Sequence, residues 1–124
     1  MKTSPGKQTW FIADAYLPGT GLGEKWESHE SVCLLNVGDT DASVTFTLYF
    51  EDRQPLCIEG IPLKAQSNRH IGMHKPEQLH GTVVPRDTPY GIAITSDHPI
   101  IVQYSRLDVT QPNFTLMTAI PYTE

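Results

Sequence analysis

Hydrophobic and polar residues alternate along much of this chain with a period of two, which is the period of a strand. The clearest case is the segment 43–50, where serine, threonine and tyrosine alternate with four hydrophobic residues: Val44, Phe46, Leu48 and Phe50. Because successive side chains of a strand point to opposite faces, this pattern predicts a strand with one buried and one exposed face.

The other hydrophobic segments are rich in β-branched and aromatic residues and show no helical period. We therefore predict further strands at 9–16, 28–37, 56–63, 90–95, 100–108 and 115–122. Weaker strand signals lie at 65–73 and at 82–84, where Pro85 ends the segment, and a single helical turn is expected at 75–79.

Two short turns indicate which strands are neighbours. Gly38–Asp41 favours an antiparallel hairpin between 28–37 and 43–50, and Ser96–Pro99 favours another between 90–95 and 100–108. About eight short strands with turn signals between them predict an all-β fold, a single-domain antiparallel β-sandwich over residues 1–124. Residues 1–8 are expected to form a flexible N-terminus.

Composition narrows the classes of function. The net charge is −5 and there is no basic run, so nucleic acid is not the expected partner. We expect a cytoplasmic protein, since the sequence contains neither a signal peptide nor an apolar run of the ~20 residues that a membrane helix needs. The two cysteines, Cys33 and Cys57, are too few and too far apart for a disulfide framework or a zinc site.

Polar and aromatic side chains gather near the ends of the predicted strands. Such a mixture suits a small polar ligand with a flat face, such as a sugar. The candidate binding residues are Trp10, Tyr16, Trp26, Ser28, His29, Glu30, Asn36, Arg69, Arg106 and Asp108. The competing interpretation is that these groups make structural hydrogen bonds and that Trp26 covers the end of the sandwich or packs on a neighbouring subunit.

Arg106 and Asp108 lie two residues apart on one face of a predicted strand, about 7 Å from each other. They either form an ordinary ion pair or reach the same ligand. No nucleophile motif is present, and His70, His74 and His80 lack the spacing of metal ligands. We therefore predict no catalytic residue, no metal and no cofactor, and a hydrolase is the least favoured alternative.

Several short motifs together resemble the soluble sensory-rhodopsin transducer family over nearly the whole chain. They are Trp10–Ala13 with Tyr16 and Pro18, Ser28–Glu30 with Val32–Cys33, Leu35–Asn36, Gly38–Asp39, Asp41–Ala42, Asp87–Thr88, Ser96 with Pro99–Ile100, Val102–Gln103, and Arg106–Asp108 with Gln111. The sequence departs from the named member of that family in the glycine-rich loop 17–27 and between Gln66 and His80.

The resemblance implies an all-β sandwich that assembles as a homotetramer and has a non-enzymatic role in signalling. It also implies a membrane sensory receptor as a partner and relatives that bind small molecules such as sugars. The leading hypothesis is a protein that binds a small polar ligand and relays its presence to a protein partner. The alternative is a pure protein-interaction module for a membrane receptor, without a ligand.

Overall fold

The computed structural model describes residues 5–21 and 25–124, and almost all regular structure in this part of the chain is extended. The eight strands are β1 (Lys7–Tyr16), β2 (His29–Asn36), β3 (Ala42–Phe50), β4 (Leu56–Leu63), β5 (Ser67–Gly72), β6 (Pro89–Asp108), β7 (Thr115–Ala119) and β8 (Tyr122–Thr123). A 3-10 turn at Pro76–Gln78 occupies the place of the predicted helical turn. No helix in the described residues is long and apolar enough to cross a membrane.

The long strand β6 organises the fold because it belongs to both halves of the sheet. Its first half pairs with β1 and β3, in the order β4-β3-β6-β1-β8. Its second half pairs with β2 and β7, and β5 lies on the other side of β2. Every pairing is antiparallel.

The inward faces of the two halves meet in one hydrophobic core. Val32, Leu34 and Val102 enter it from one half, and Phe46 and Ile94 enter it from the other. The all-β sandwich of about eight strands predicted from the sequence is confirmed.

The predicted hairpin between 90–95 and 100–108 is wrong. Residues 96–99 do not reverse the chain but carry β6 from one half of the sheet to the other. A hairpin has no room there, because β1 and β3 already occupy both hydrogen-bonding edges of residues 90–95. The Asp97 carboxylate accepts a hydrogen bond from the Ser43 amide (2.8 Å) and ties this crossing to β3.

The predicted hairpin between 28–37 and 43–50 is also wrong, since β2 and β3 lie in different halves of the sheet. Asn36 holds the connection between them. Its side-chain amide donates to the carbonyls of Thr40 (2.9 Å) and Leu63 (3.3 Å), and its Oδ1 accepts from the Gly38 amide (2.9 Å). The turn residues thus predict a turn but not the partner of the strand that follows.

Two smaller differences concern strand boundaries. Thr82–Val84 is not a strand, and the predicted last strand is divided into β7 and β8 by a break that contains Pro121, which has no amide hydrogen to donate. The N-terminal segment expected to be flexible lies partly outside the described residues, at 1–4. Lys7 and Gln8 already belong to β1.

Candidate functional site

A buried carboxylate lies at the start of β2. Glu30 is 0% exposed, and its carboxylate accepts hydrogen bonds from the hydroxyls of Tyr90 (2.5 Å) and Tyr104 and from the Tyr16 amide (2.8 Å). Tyr90 and Tyr104 lie on the two different halves of β6, and Tyr16 ends β1. One side chain therefore ties together three strands and both halves of the sheet.

Arg106 extends this arrangement toward the surface. Its Nε and Nη2 each donate to the Tyr104 hydroxyl at 3.3 Å, and Nη2 also donates to the Asp14 carbonyl (2.8 Å). Its side chain is only 16% exposed. The five residues Tyr16, Glu30, Tyr90, Tyr104 and Arg106 are called the Glu30 network below.

A bulge in β1 brings Asp14 to Arg106. The pairing with β6 shifts between Ile12 and Ala15, so β1 gains one residue relative to its neighbour. Ile12 and Ala15 are consequently both buried, although strict alternation would put them on opposite faces. Asp14 stays exposed, with its carboxylate 3.6 Å from Arg106 Nη2.

Burial shifts the pKa values inside the network. It raises the pKa of Glu30 above the ordinary value of 4.5, and the three hydrogen-bond donors and the charge of Arg106 offset only part of this rise. Burial, followed by the negative charge of Glu30, also raises the pKa values of Tyr90 and Tyr104 well above 10.0. Both tyrosines therefore remain protonated donors at neutral pH.

We expect the stability cost of Glu30→Gln to be larger at pH 5 than at pH 8. A carboxyl with a raised pKa in the folded state stabilises the fold most below its unfolded pKa, and this contribution is lost as the pH rises through the folded pKa. Urea unfolding of both proteins at pH 5, 6, 7 and 8 measures the cost.

The lowered pKa of His74 has the opposite effect on the pH dependence, since stability then falls as the pH drops below 6.5. This effect is common to wild type and variant and cancels in the difference between them. A cost of Glu30→Gln that stays constant or grows toward pH 8 would contradict the assignment.

An open groove of about 460 Å³ lies beside the network, between β1, β7 and β8. Its walls are mostly apolar and include Phe11, Met117 and Tyr122, while Asp14 and Tyr104 are its polar residues. This volume is in the range of small-molecule sites. Tyr104 belongs to both the groove and the Glu30 network, so a molecule in the groove lies next to the residue that donates to Glu30.

The structure brings three of the predicted site residues together: Tyr16, Glu30 and Arg106. Ser28 lies nearby but is buried, and its Oγ accepts a hydrogen bond from the Val109 amide (2.9 Å). Both Ser28 and Glu30 thus have protein partners, as the competing interpretation of structural hydrogen bonds expects.

His29 and Asp108 lie near the network without joining it. The His29 ring packs against His74, with centroids 5.3 Å apart. The Asp108 carboxylate accepts hydrogen bonds from the amide (2.9 Å) and the hydroxyl (2.6 Å) of Thr110. The basic partner expected for Asp108, Arg106, contacts Asp14 instead.

Asn36 and Arg69 lie away from the network. Asn36 is six residues along β2 from Glu30, about 20 Å at the rise of a strand. Arg69 pairs opposite Leu34 and donates to the Pro62 carbonyl (3.0 Å).

The two tryptophans also lie apart from the network. Trp10 is buried in the core, and its indole donates to the Lys7 carbonyl (3.1 Å). Trp26 is 55% exposed, with Lys25 Nζ 5.8 Å from its ring centroid. Residues 22–24 of the glycine-rich loop before it lie outside the described residues.

Sequence reasoning missed Asp14, Tyr90 and Tyr104. A signal for Tyr104 was present, because it shares a strand face with Val102 and Arg106 and must therefore lie between the core and the arginine. No comparable signal marked Tyr90, whose place opposite Glu30 depends on how β6 crosses between the two halves.

The fold and the site define a class of protein: a small all-β domain in which an open groove adjoins a buried network of polar residues. The chain belongs to the family described as Anabaena sensory rhodopsin transducer, whose model matches residues 5–123. The resemblance seen in the sequence is thereby confirmed.

Two solved structures are similar to this chain. The crystal structure of Thermotoga maritima 1070 is 36% identical, covers 96% of each chain and has a TM-score of 0.85. The Anabaena sensory rhodopsin transducer is 35% identical, with 86% of this chain and 100% of that chain covered and a TM-score of 0.73. No curated protein matches the sequence.

Proposed function

We propose that this chain is a non-enzymatic, cytoplasmic signalling protein that binds a small polar ligand in the groove and relays its presence to a protein partner. The observation that carries the proposal is the double position of Tyr104, which lines the groove and donates to the buried carboxylate of Glu30. Membership of a transducer family supports the signalling role.

A sugar is the ligand class that suits the groove. The rings of Phe11 and Tyr122 lie 6.1 Å apart at its edge and offer apolar faces for the C–H face of a sugar ring. The Asp14 carboxylate is exposed and can accept hydrogen bonds from hydroxyl groups. Arg106, placed behind Tyr104, orients that hydroxyl instead of contacting the ligand directly.

The relay would act through the Glu30 network. Tyr104 is only 1% exposed and its hydroxyl is bonded to Glu30 and Arg106, so a ligand in the groove would displace the Tyr104 ring and thereby alter these hydrogen bonds. Because Glu30 also holds Tyr16 and Tyr90, a change at Tyr104 reaches β1 and both halves of β6. The partner proposed is a membrane sensory receptor, and the working assembly is a homotetramer.

We expect a sugar from a panel of mono- and disaccharides to raise the melting temperature of the wild type. At 100-fold excess over its Kd, a ligand stabilises the fold by about 2.7 kcal/mol. Tyr122→Ala, which removes one wall of the groove, should reduce the shift by more than half. Thermal-shift titration measures both proteins.

The matched control is Tyr49→Ala, another exposed strand tyrosine, which lies outside the groove on β3. It should keep the wild-type shift. An equal shift in Tyr122→Ala and the wild type would place the ligand elsewhere, and a panel without any shift would count against a sugar.

A specific observation favours a pure protein-interaction module as the second candidate. The outer face of the half formed by β5, β2, β6 and β7 has no acidic residue, lysine or arginine. Its residues are His29, Ser31, Cys33, Leu35, Asn68, His70, Gly72, Ile101, Gln103, Ser105, Leu107, Leu116 and Thr118. If this candidate is correct, no ligand of the panel raises the melting temperature, and a receptor domain binds directly to this chain.

A further inference from the structure

His74 lies in the turn 73–79 that follows β5, and its imidazole packs closely against the backbone. A Cβ at Gly72 would lie 2.9 Å from His74 Cε1, so the glycine leaves the space that the ring occupies. The ring nitrogen Nδ1 is buried and has no hydrogen-bond partner in the described part of the chain. In a neutral imidazole with its hydrogen on Nε2, this nitrogen is only an unused acceptor. In the imidazolium it becomes a charged donor without an acceptor, which is much costlier to bury.

The charged groups around His74 do not compensate a proton on its ring. The His29 ring, which can itself become positive, lies 5.3 Å away. Lys75 and Arg86 are positive neighbours. Glu27 is the acidic neighbour, but its carboxylate accepts a hydrogen bond from Arg86 at 2.6 Å. Burial, followed by these positive groups, lowers the pKa of His74 below its ordinary 6.5, and Glu27 offsets only part of this.

The turn 73–79 is attached to the start of β2, beside the Glu30 network. The Met73 amide donates to the Glu30 carbonyl (2.9 Å), and the Gly72 amide donates to the side chain of Gln78 (2.6 Å). Met73 and Leu79 anchor the turn, since both are buried in the core. A movement of the turn therefore reaches the backbone of the residue at the centre of the network.

We propose that the turn 73–79 is a proton-sensitive element, in which a proton on His74 drives the ring out of the space beside Gly72 and opens the turn from β2. The imidazolium needs an acceptor for both of its N–H groups, and the closed turn supplies none for Nδ1. A cleft of about 250 Å³ lies beside the ring, lined by Pro76 and Val83 among others, and gives the ring a way to water. Opening breaks the hydrogen bond between Met73 and the Glu30 carbonyl.

The element acts on the acid side of neutrality. The open turn leaves His74 with the ordinary pKa of about 6.5, whereas the closed turn holds a lower pKa. The free energy of opening therefore falls as the pH drops below 6.5. The raised pKa of Glu30 changes stability in the opposite direction and cannot produce this loss. The inference goes beyond the proposed function, because it uses no residue of the groove.

Hydrogen exchange of the Met73 amide, followed by NMR between pH 7 and pH 5 and divided by the intrinsic rate at each pH, tests the opening. Protection in the wild type should fall by about threefold or more. Amides in the centre of β3 report on global unfolding and serve as the internal reference. In His74→Phe and in His74→Gln, which cannot gain the proton, the Met73 protection should lose this pH dependence.

NMR titration of the histidine Cε1 protons tests the cause. The His74 resonance should titrate below pH 6.5, and His29→Gln should move its midpoint upward, because a neighbour that can become positive is removed. His98→Gln is the matched control and should leave the midpoint unchanged. His98 lies in the crossing of β6, nine residues along that strand from Leu107, the partner of His29.

A His74 midpoint at or above pH 6.5, or Met73 protection that does not change with pH in the wild type, would overturn the inference. So would the same pH dependence in the wild type and the His74 variants. The two wild-type measurements decide the matter even if a variant fails to fold. The sugar panel, run at pH 7.5 where the turn is closed, judges the proposed function separately.

Discussion

Glu30→Ala is expected to lower the free energy of unfolding by about 3–5 kcal/mol, the cost of removing one partner from a buried charged network. The substitution leaves the hydroxyls of Tyr90 and Tyr104 without their acceptor and Arg106 without a nearby buried anion. It also leaves a cavity at a fully buried position. Urea unfolding at pH 7, fitted with the same m-value for both proteins, measures the loss.

Glu51→Ala is the control, since Glu51 is exposed in the turn after β3. Its cost should stay within about 0.5 kcal/mol. If Glu30→Ala cost less than about 1 kcal/mol, the carboxylate would not be a structural centre of the fold, and the relay argued above would lose its basis.

Arg106→Met should lower the free energy of unfolding by about 1.5–3 kcal/mol at pH 7, the range for hydrogen bonds that involve a charged group. Methionine keeps most of the apolar stem, so the loss reports on the guanidinium. That group donates to Tyr104 and to the Asp14 carbonyl, and its positive charge favours the ionised form of Glu30.

A double-mutant cycle separates the part of this cost that comes from the charge interaction with Glu30 from the part that comes from the hydrogen bonds of Arg106. In a Glu30→Gln background no carboxylate is left for the charge to stabilise, and Arg106→Met should cost at least 1 kcal/mol less than in the wild type. Arg53→Met is the matched control, because Arg53 is an exposed arginine whose ion pair with Asp52 is screened by solvent and contributes little to stability. Equal costs of Arg106→Met in both backgrounds would show that Arg106 acts only through its hydrogen bonds to the Tyr104 hydroxyl and the Asp14 carbonyl.

The Glu30 network connects the groove to the rest of the fold. The groove supplies apolar walls and Asp14, whereas the network connects Tyr104 to β1, β2 and both halves of β6. A ligand in the groove would therefore act on the fold through Tyr104.

The sequence alone determined the fold class and the family. Alternation at 43–50 identified a half-buried strand, and turn residues at Gly38–Asp41 marked a real connection. Local patterns of this kind predict strands correctly because the alternation of hydrophobic and polar residues follows from which face of the strand is buried. The motifs around Trp10, Ser28–Glu30 and Arg106–Asp108 carried the resemblance to the transducer family.

The pairing of the strands and the role of Glu30 depend on long-range contacts that the local sequence pattern does not encode. Both faces of 32–35 are apolar, so the sequence shows that Glu30 shares a strand face with Val32 and Leu34 but not that this face points into the core. The partners of the carboxylate come from positions 16, 90 and 104 and meet only because β6 crosses between the two halves. Strand pairing is non-local, and local residues encode a turn without encoding which strand it leads to.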